Sequence, residues 1–74
     1  MPRTADEDEV LRRFGERLRE TRKAQSLSQD KVAERSGVHV TYLSGVESGR
    51  RNPTLLKMRA LAAALGVPLS DLVD

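Results

Sequence analysis

Side chains that could bind a polyanion are concentrated between residues 28 and 52. Their amide, hydroxyl, imidazole and guanidinium groups can hydrogen-bond to phosphates or to base edges. The chain contains no Ser-His-Asp or Cys-His set, no phosphate-binding glycine loop and no pair of inward carboxylates, so it is not expected to be an enzyme. The lack of cysteine and the single histidine, His39, predict neither a metal site nor a cofactor.

The charges are segregated along the chain. The formal net charge is +2, but residues 11–59 sum to +7, whereas residues 1–10 sum to −3 and residues 60–74 to −2. A basic central segment suits a polyanion such as nucleic acid. The charge pattern alone leaves open the alternative of an ordinary solvated surface.

Length and composition predict one small, soluble cytoplasmic domain. A chain of 74 residues buries a modest core, so self-association would add stability. No apolar run approaches the roughly 18 residues of a membrane span. The acidic N-terminus is also unlike a signal peptide.

Apolar residues recur at helical spacing, which predicts an all-α fold, a compact bundle of five short helices. Residues 1–7 are expected to be a flexible acidic arm before a domain that spans residues 8–74. Ser28 suits the N-cap of the second helix, and Gly37 suits its end. The predicted helices cover about residues 8–25, 29–36, 40–48, 55–65 and 71–73. The inward positions expected on the fourth helix are Leu55, Met58, Leu61, Ala62 and Leu65.

Two charged residues occupy positions in otherwise apolar stripes. Arg22 follows Leu18 on the first helix, and Glu47 follows Leu43 on the third. A single buried charge is costly, whereas two opposite charges can satisfy each other. We therefore expect an Arg22–Glu47 ion pair. The alternative is that each side chain reaches solvent from the edge of its stripe.

The second and third helices are short, and the tight link between them contains Gly37, which is typical of a helix-turn-helix. Such a link presents the third helix as a projecting rod that fits the major groove of DNA. Small residues form its outward face: Thr41, Ser44, Gly45 and Ser48. We expect this bare face to let the helix backbone approach the groove closely.

The segment LRETRKAQSLSQDKVAERSGVHVTYLSGVESGRRNPTLLKMRALAAALGV resembles the helix-turn-helix domain of the phage repressor and Cro type, the xenobiotic-response-element family. The resemblance covers about residues 14–73. The short length and the segment TYLSGVE look most like the controller proteins of restriction–modification systems. The specific marks are Arg22, Leu27-Ser28-Gln29, Ala33, Gly37, Tyr42-x-Ser44-x-x-Glu47, Arg51-Asn52-Pro53 and Leu65-Gly66-Val67.

The resemblance implies roles for individual residues. It matches Arg22 and Glu47 to the internal ion pair of the family. It matches the C-terminal helix to the usual dimer surface, here Leu69, Leu72 and Val73, a cluster that could instead only cover the base of the fourth helix. The DNA-contacting positions that it implies are Gln29, His39, Val40, Thr41, Tyr42, Ser44, Gly45, Arg51 and Asn52. Thr41 and Arg51 are the expected base readers. Ser28 and Arg50 are further expected DNA contacts, and the candidates for phosphate neutralisation are Lys31, Arg35, Arg50 and Arg51.

Three positions depart from the common pattern of the family. Ser26 stands where glycine usually closes the first helix. His39 stands where serine or threonine usually caps the third helix, and we expect it to cap the helix or to contact the DNA backbone. Val40 replaces a polar reader, often arginine, and leaves a side chain suited to a thymine methyl group.

The resemblance implies a transcriptional regulator that binds double-stranded DNA as a homodimer on an inverted-repeat operator. Autoregulation as a controller-like protein, with RNA polymerase as a further partner, is the expected role. The alternatives are a phage-type repressor, and an antitoxin or partner-binding adaptor of a toxin–antitoxin pair. The operator, the target genes and the choice between activation and repression do not follow from the sequence.

Overall fold

The computed structural model describes residues 2–73, which form four α-helices and one turn of 3-10 helix. Residues 1 and 74, the outer ends of the expected arm and domain, lie outside the described residues. The all-α class is confirmed, and the count of five helices is wrong because the last one is only a 3-10 turn that starts two residues early. The elements are α1 (Ala5–Ala24), α2 (Gln29–Ser36), α3 (Val40–Glu47), α4 (Leu55–Ala64) and the 3-10 turn (Leu69–Asp71).

Helix α1 begins three residues before its predicted start, so residues 5–7 of the expected flexible arm are helical. The Thr4 hydroxyl accepts a hydrogen bond from the Glu7 amide, and the Glu7 carboxylate accepts one from the Thr4 amide. This capping box pairs two amides near the helix start. Arg3 also forms an ion pair with Asp8 at 2.9 Å. Arg3 and Thr4 are therefore held against the first turns of α1.

The core lies between all four helices. Helix α1 packs against α3, α2 packs against both α3 and α4, and the 3-10 turn closes against α4. Leu72 is 0% exposed, so its predicted place on a dimer surface is wrong: it covers the base of α4 from inside the core. Among residues 2–73, the largest fully buried side chains are Leu18, Val32, Leu43, Val46, Leu61 and Leu72.

Helix α4 buries a narrower face than the sequence predicts. Leu61, Ala62 and Leu65 are buried and Met58 is half-buried, but Leu55 is 60% exposed. Within residues 2–73, no helix is long and apolar enough to cross a membrane. The large apolar side chains that remain exposed are Val10, Val40, Leu55, Leu56 and Val73.

The ends of α2 are those that the sequence predicts. Ser28 Oγ accepts a hydrogen bond from the Lys31 amide at 3.0 Å. Gly37 ends the helix with φ 74°, a left-handed conformation that glycine adopts without steric cost. The Val38 amide then donates to the Ala33 carbonyl at 3.1 Å and closes the turn. These contacts fix the direction in which α3 leaves α2.

Gly15 sets the distance between α1 and α3. It is buried where the two helices cross, and a Cβ at this position would overlap the carbonyl oxygens of Val46 and Glu47. These are backbone atoms, which cannot move aside as the end of a side chain can. The close contact explains why α1 carries a glycine although glycine lowers helix stability by about 1 kcal/mol relative to alanine.

We expect Gly15→Ala to lower the free energy of unfolding by about 1–3 kcal/mol, because the added methyl overpacks the helix crossing. Urea denaturation followed by circular dichroism measures the change. Lys23→Ala, at an exposed position on the same helix, is the control and should change stability by less than about 0.5 kcal/mol. A Gly15→Ala protein as stable as this control contradicts the assigned role of Gly15.

Candidate nucleic-acid interface

A buried ion pair joins α1 to α3. Nε and Nη2 of Arg22 donate hydrogen bonds to Oε2 and Oε1 of Glu47 at 2.7 and 3.0 Å. Both residues are buried, with exposures of 8% and 7%. Two parallel bonds between a guanidinium and a carboxylate make a strong and directional contact. The predicted ion pair is therefore present, and the alternative of two solvated side chains is wrong.

The same pair holds the start of α2. Nη1 of Arg22 donates to the Leu27 carbonyl at 2.9 Å, and Nε2 of Gln29 donates to Oε1 of Glu47 at 3.0 Å. Gln29 is half-buried and thus has a structural contact in addition to its predicted DNA contact. A glutamine amide has further donor and acceptor capacity for a ligand. Arg22, Glu47 and Gln29 form a network that links α1, α2 and α3.

A solvent-facing cleft of about 590 Å³ lies beside this network. Gln29, Val40 and Ser44 all line it, so the structure brings together predicted contacts from α2 and α3. Val40 is 36% exposed and offers an apolar contact within otherwise polar walls. Arg19, on α1, also lines the cleft and was not among the predicted DNA contacts. It precedes Arg22 by three residues, and this spacing could have placed it on the same face of α1.

Helix α3 presents a narrow edge to solvent. Thr41 is exposed and Tyr42 and Ser44 are half-buried, whereas the opposite side of the helix is buried in the core. His39 occupies the N-cap position and is exposed, but its side chain makes no cap hydrogen bond. The expectation of a capping imidazole is therefore wrong, while its contact with a DNA backbone stays a prediction.

The loop after α3 folds back onto the helix. The Gly45 carbonyl accepts hydrogen bonds from the Arg50 amide at 2.8 Å, the Arg51 amide at 3.1 Å and the Ser48 hydroxyl at 3.1 Å. The Arg51 guanidinium carbon lies 5.8 Å from the centre of the Tyr42 ring, within cation–π range. The loop thus returns a cation to the first turn of the helix.

Gly45 is buried, which corrects the expectation of a bare outward face. A Cβ on Gly45 would lie only 2.5 Å from Cγ of Arg51, so the arginine stem already fills this space. The sequence places Gly45 on the outward side of α3, but it does not indicate that the loop after the helix folds back over this position. The helix backbone at Gly45 is therefore not open to a groove.

The remaining predicted residues lie at different places. Ser28 and Arg50 are exposed. Asn52 is exposed but lies apart from the cleft beside α3, because it lines a groove with Arg3 and Val10 at the start of α1. The structure thus places Asn52, which directly follows Arg51 in the chain, on a groove different from the cleft.

We expect Glu47→Leu to lower the free energy of unfolding by about 3–5 kcal/mol, because Arg22 is left buried without a counter-charge. Adding Arg22→Met should restore most of this loss, since two apolar side chains then pack against each other. Urea unfolding of both single variants and the double variant gives the coupling energy. Strictly additive losses would mean that the pair does not act as a unit.

Comparison with known proteins agrees with this geometry. The helix-turn-helix family model matches residues 18–72. The uncharacterised HTH-type transcriptional regulator y4dJ of Sinorhizobium fredii is 44% identical over 59 residues, which are 80% of this chain and 77% of that protein. Control protein C.BamHI of Bacillus amyloliquefaciens is 40% identical over 62 residues, 82% of this chain and 76% of that protein.

A solved structure gives the same result. The crystal structure of the restriction–modification controller protein C.AhdI from Aeromonas hydrophila has a TM-score of 0.83 and 45% identity, and the match covers 84% of this chain and 94% of that chain. The family suggested by the sequence is confirmed. The chain belongs to the helix-turn-helix family of DNA-binding transcriptional regulators.

Proposed function

We propose that this regulator binds an inverted-repeat operator as a homodimer and controls its own promoter, as a controller protein of a restriction–modification system. One observation carries the proposal: the exposed edge of α3 lies between the cleft at the start of α2 and the loop that carries Arg51. The similarity to C.BamHI and C.AhdI supports the controller role. Such a regulator acts on DNA in the cytoplasm, and the proposal assigns it no catalysis.

The proposed contacts fall into two groups. Thr41 and Arg51 read base edges, because one is exposed at the first turn of α3 and the other lies beside that turn. Lys31 and Arg50 are exposed cations, one in the first turn of α2 and the other after α3, and they neutralise phosphates. Arg35, near the other end of α2, lies beside the end of α4 and is not assigned a phosphate. With few long side chains on α3, part of the sequence preference comes from DNA shape.

The buried network favours this assignment electrostatically. Glu47 is the one carboxylate on α3, and its charge is balanced within the domain by Arg22. The helix therefore approaches phosphates without an unpaired negative charge. We also propose that the Tyr42 hydroxyl contacts a phosphate, since the ring packs against the core and holds the hydroxyl in a fixed position.

The dimer surface requires revision once Leu72 is assigned to the core. Leu69 is half-buried, and Val73 is 38% exposed. Val73 and Val10 line an apolar groove, and Leu56, on α4, is 77% exposed. We assign these exposed apolar side chains to a two-fold interface, because a second copy would remove them from water and would match the symmetry of an inverted repeat.

Occupancy of the operator is the proposed mechanism of regulation. A dimer bound beside the promoter recruits RNA polymerase, whereas a dimer bound across the promoter blocks it. Both outcomes need only the DNA-binding domain and no small-molecule effector. The two half-sites are expected to lie about one helical turn, or roughly 34 Å, apart.

We expect Thr41→Ala to relax discrimination at one base pair by about 1–3 kcal/mol, and Lys31→Ala to weaken all sequences alike and reduce the salt slope by about 1. Fluorescence anisotropy measures both effects on a duplex selected from a random library by the wild-type protein, with single base-pair substitutions as competitors. Arg59→Ala, an exposed cation on α4, is the matched control. Equal losses on every duplex for Thr41→Ala and Lys31→Ala contradict the two groups of contacts.

We expect Leu56→Glu to convert the dimer into a folded monomer, because it places a charge in the apolar interface. Sedimentation equilibrium measures the mass, and circular dichroism checks the fold. Lys57→Glu introduces the same carboxylate at the next, polar position and should leave the dimer intact. If the wild-type protein is itself a monomer at operator-saturating concentrations, the homodimer proposal is wrong.

A further inference from the structure

We propose that Gly45 is a positioning residue that determines sequence specificity through Arg51. In this account, Gly45 and the Tyr42 ring form a surface that holds the Arg51 side chain ready for a base contact. The inference rests on the proposed function and deepens it, because it names a residue that controls base reading without contacting DNA. It replaces the expectation that Gly45 lets the helix backbone approach the groove.

The first observation is the space above Gly45. A Cβ at this position would lie 2.5 Å from Cγ of Arg51 and 3.6 Å from both its Cβ and its Cδ. The arginine stem therefore lies directly on the glycine. Any larger residue displaces Cγ, which moves aside only when the whole arginine side chain rotates about χ1, since the arginine Cβ stays 3.6 Å away. Gly15 differs, because backbone atoms block its Cβ.

The second observation is the backbone. The Gly45 carbonyl accepts the amides of both Arg50 and Arg51, which fixes where the two side chains begin. The three atoms nearest to a Cβ on Gly45 all belong to the Arg51 side chain, and Arg51 is also the cation found over the Tyr42 ring. Arg50 is thus a natural internal control: it is the adjacent cation, on the same fixed loop, without the contact surface.

The third observation is the position of Tyr42. It precedes Gly45 by three residues, so the two lie on one face of α3. The Arg51 guanidinium lies 5.8 Å from the ring centre, where the ring orients it and restricts its rotamers. A planar guanidinium held in this way presents its N–H groups to O6 and N7 of guanine and loses less conformational freedom on binding.

These observations predict opposite effects on folding and on recognition. Gly45 has a helical conformation, since the glycines with positive φ among residues 2–73 are Gly37, Gly49 and Gly66. Alanine is the better helix former by about 1 kcal/mol. This gain offsets the χ1 rotation that moves Cγ of Arg51 away from the added methyl group. Gly45→Ala should therefore keep or raise the melting temperature while it lowers discrimination between sequences. A purely structural glycine would lower both.

The first experiment uses the free protein. Tyr42 is the only tyrosine of the chain, so its ring protons are unambiguous in an NMR spectrum. We expect nuclear Overhauser contacts between this ring and the Arg51 side chain in the wild-type protein, and their loss in Gly45→Ala at an unchanged or higher melting temperature. Contacts that persist in Gly45→Ala, or that are absent from the wild type, overturn the inference without reference to DNA.

The second experiment measures recognition. The probe is a duplex selected from a random library by the wild-type protein, with each base pair substituted in turn. We expect Gly45→Ala to reduce discrimination about tenfold at the same base pair that Arg51→Ala affects, and Arg51→Lys to behave like Arg51→Ala because it lacks the planar fork. Arg50→Ala should weaken all duplexes alike.

The double variant separates the two possible actions of Gly45. If Gly45 acts through Arg51, Gly45→Ala has no further effect on discrimination in an Arg51→Ala background. An equal loss in both backgrounds shows that Gly45 meets DNA itself, which overturns the inference and leaves the proposed function intact. Failure of the wild-type protein to select any sequence overturns the proposed function, and the NMR contacts then still decide whether Gly45 positions Arg51.

Discussion

The arrangement of the helices depends on the buried contact between Arg22 and Glu47. The guanidinium bridges α1 and α3 through two bonds to Glu47, and its third nitrogen holds the Leu27 carbonyl just before α2. Removing either charge leaves the other unpaired in the interior. Because Gln29 also donates to Glu47, the first turn of α2 is fixed relative to α3. The relative position of α2 and α3 determines the shape of the proposed DNA-binding surface.

The ion pair acts at two levels. Buried ion pairs often add little net stability compared with apolar packing, so we expect the main effect of this pair to be the relative placement of the three helices that it contacts. It also neutralises the carboxylate of α3, which would otherwise repel phosphates. The exposed edge of α3 is then free for recognition, and the loop that follows returns Arg51 over Gly45 to the Tyr42 ring. The network of Arg22, Glu47 and Gln29 thus supports both the packing of the helices and the proposed DNA-binding surface.

Features that depend on nearby residues, such as helix caps and charges in apolar stripes, were predicted correctly from the sequence. Ser28 and Gly37 bound α2 as expected, and the two charged stripe positions pair. The contacts of Leu72 and Gly45 did not follow, because a short C-terminal segment has no helical period and a loop that folds back leaves no local mark. The early start of α1 was readable from Thr4-Ala5-Asp6-Glu7, a capping box, but the run of acidic residues suggested a solvated arm. The DNA contacts themselves remain predictions.

The most direct test of the central claim is an NMR titration of the uniformly labelled protein with a duplex that it selects from a random library. We expect amide shift changes to concentrate at residues 28–31, 40–44 and 50–51, with little change at residues 59–64 of α4. The Arg22 guanidinium resonances should also change little, because the ion pair stays buried. Shift changes centred on α4 and the 3-10 turn, with α3 unaffected, would contradict the account.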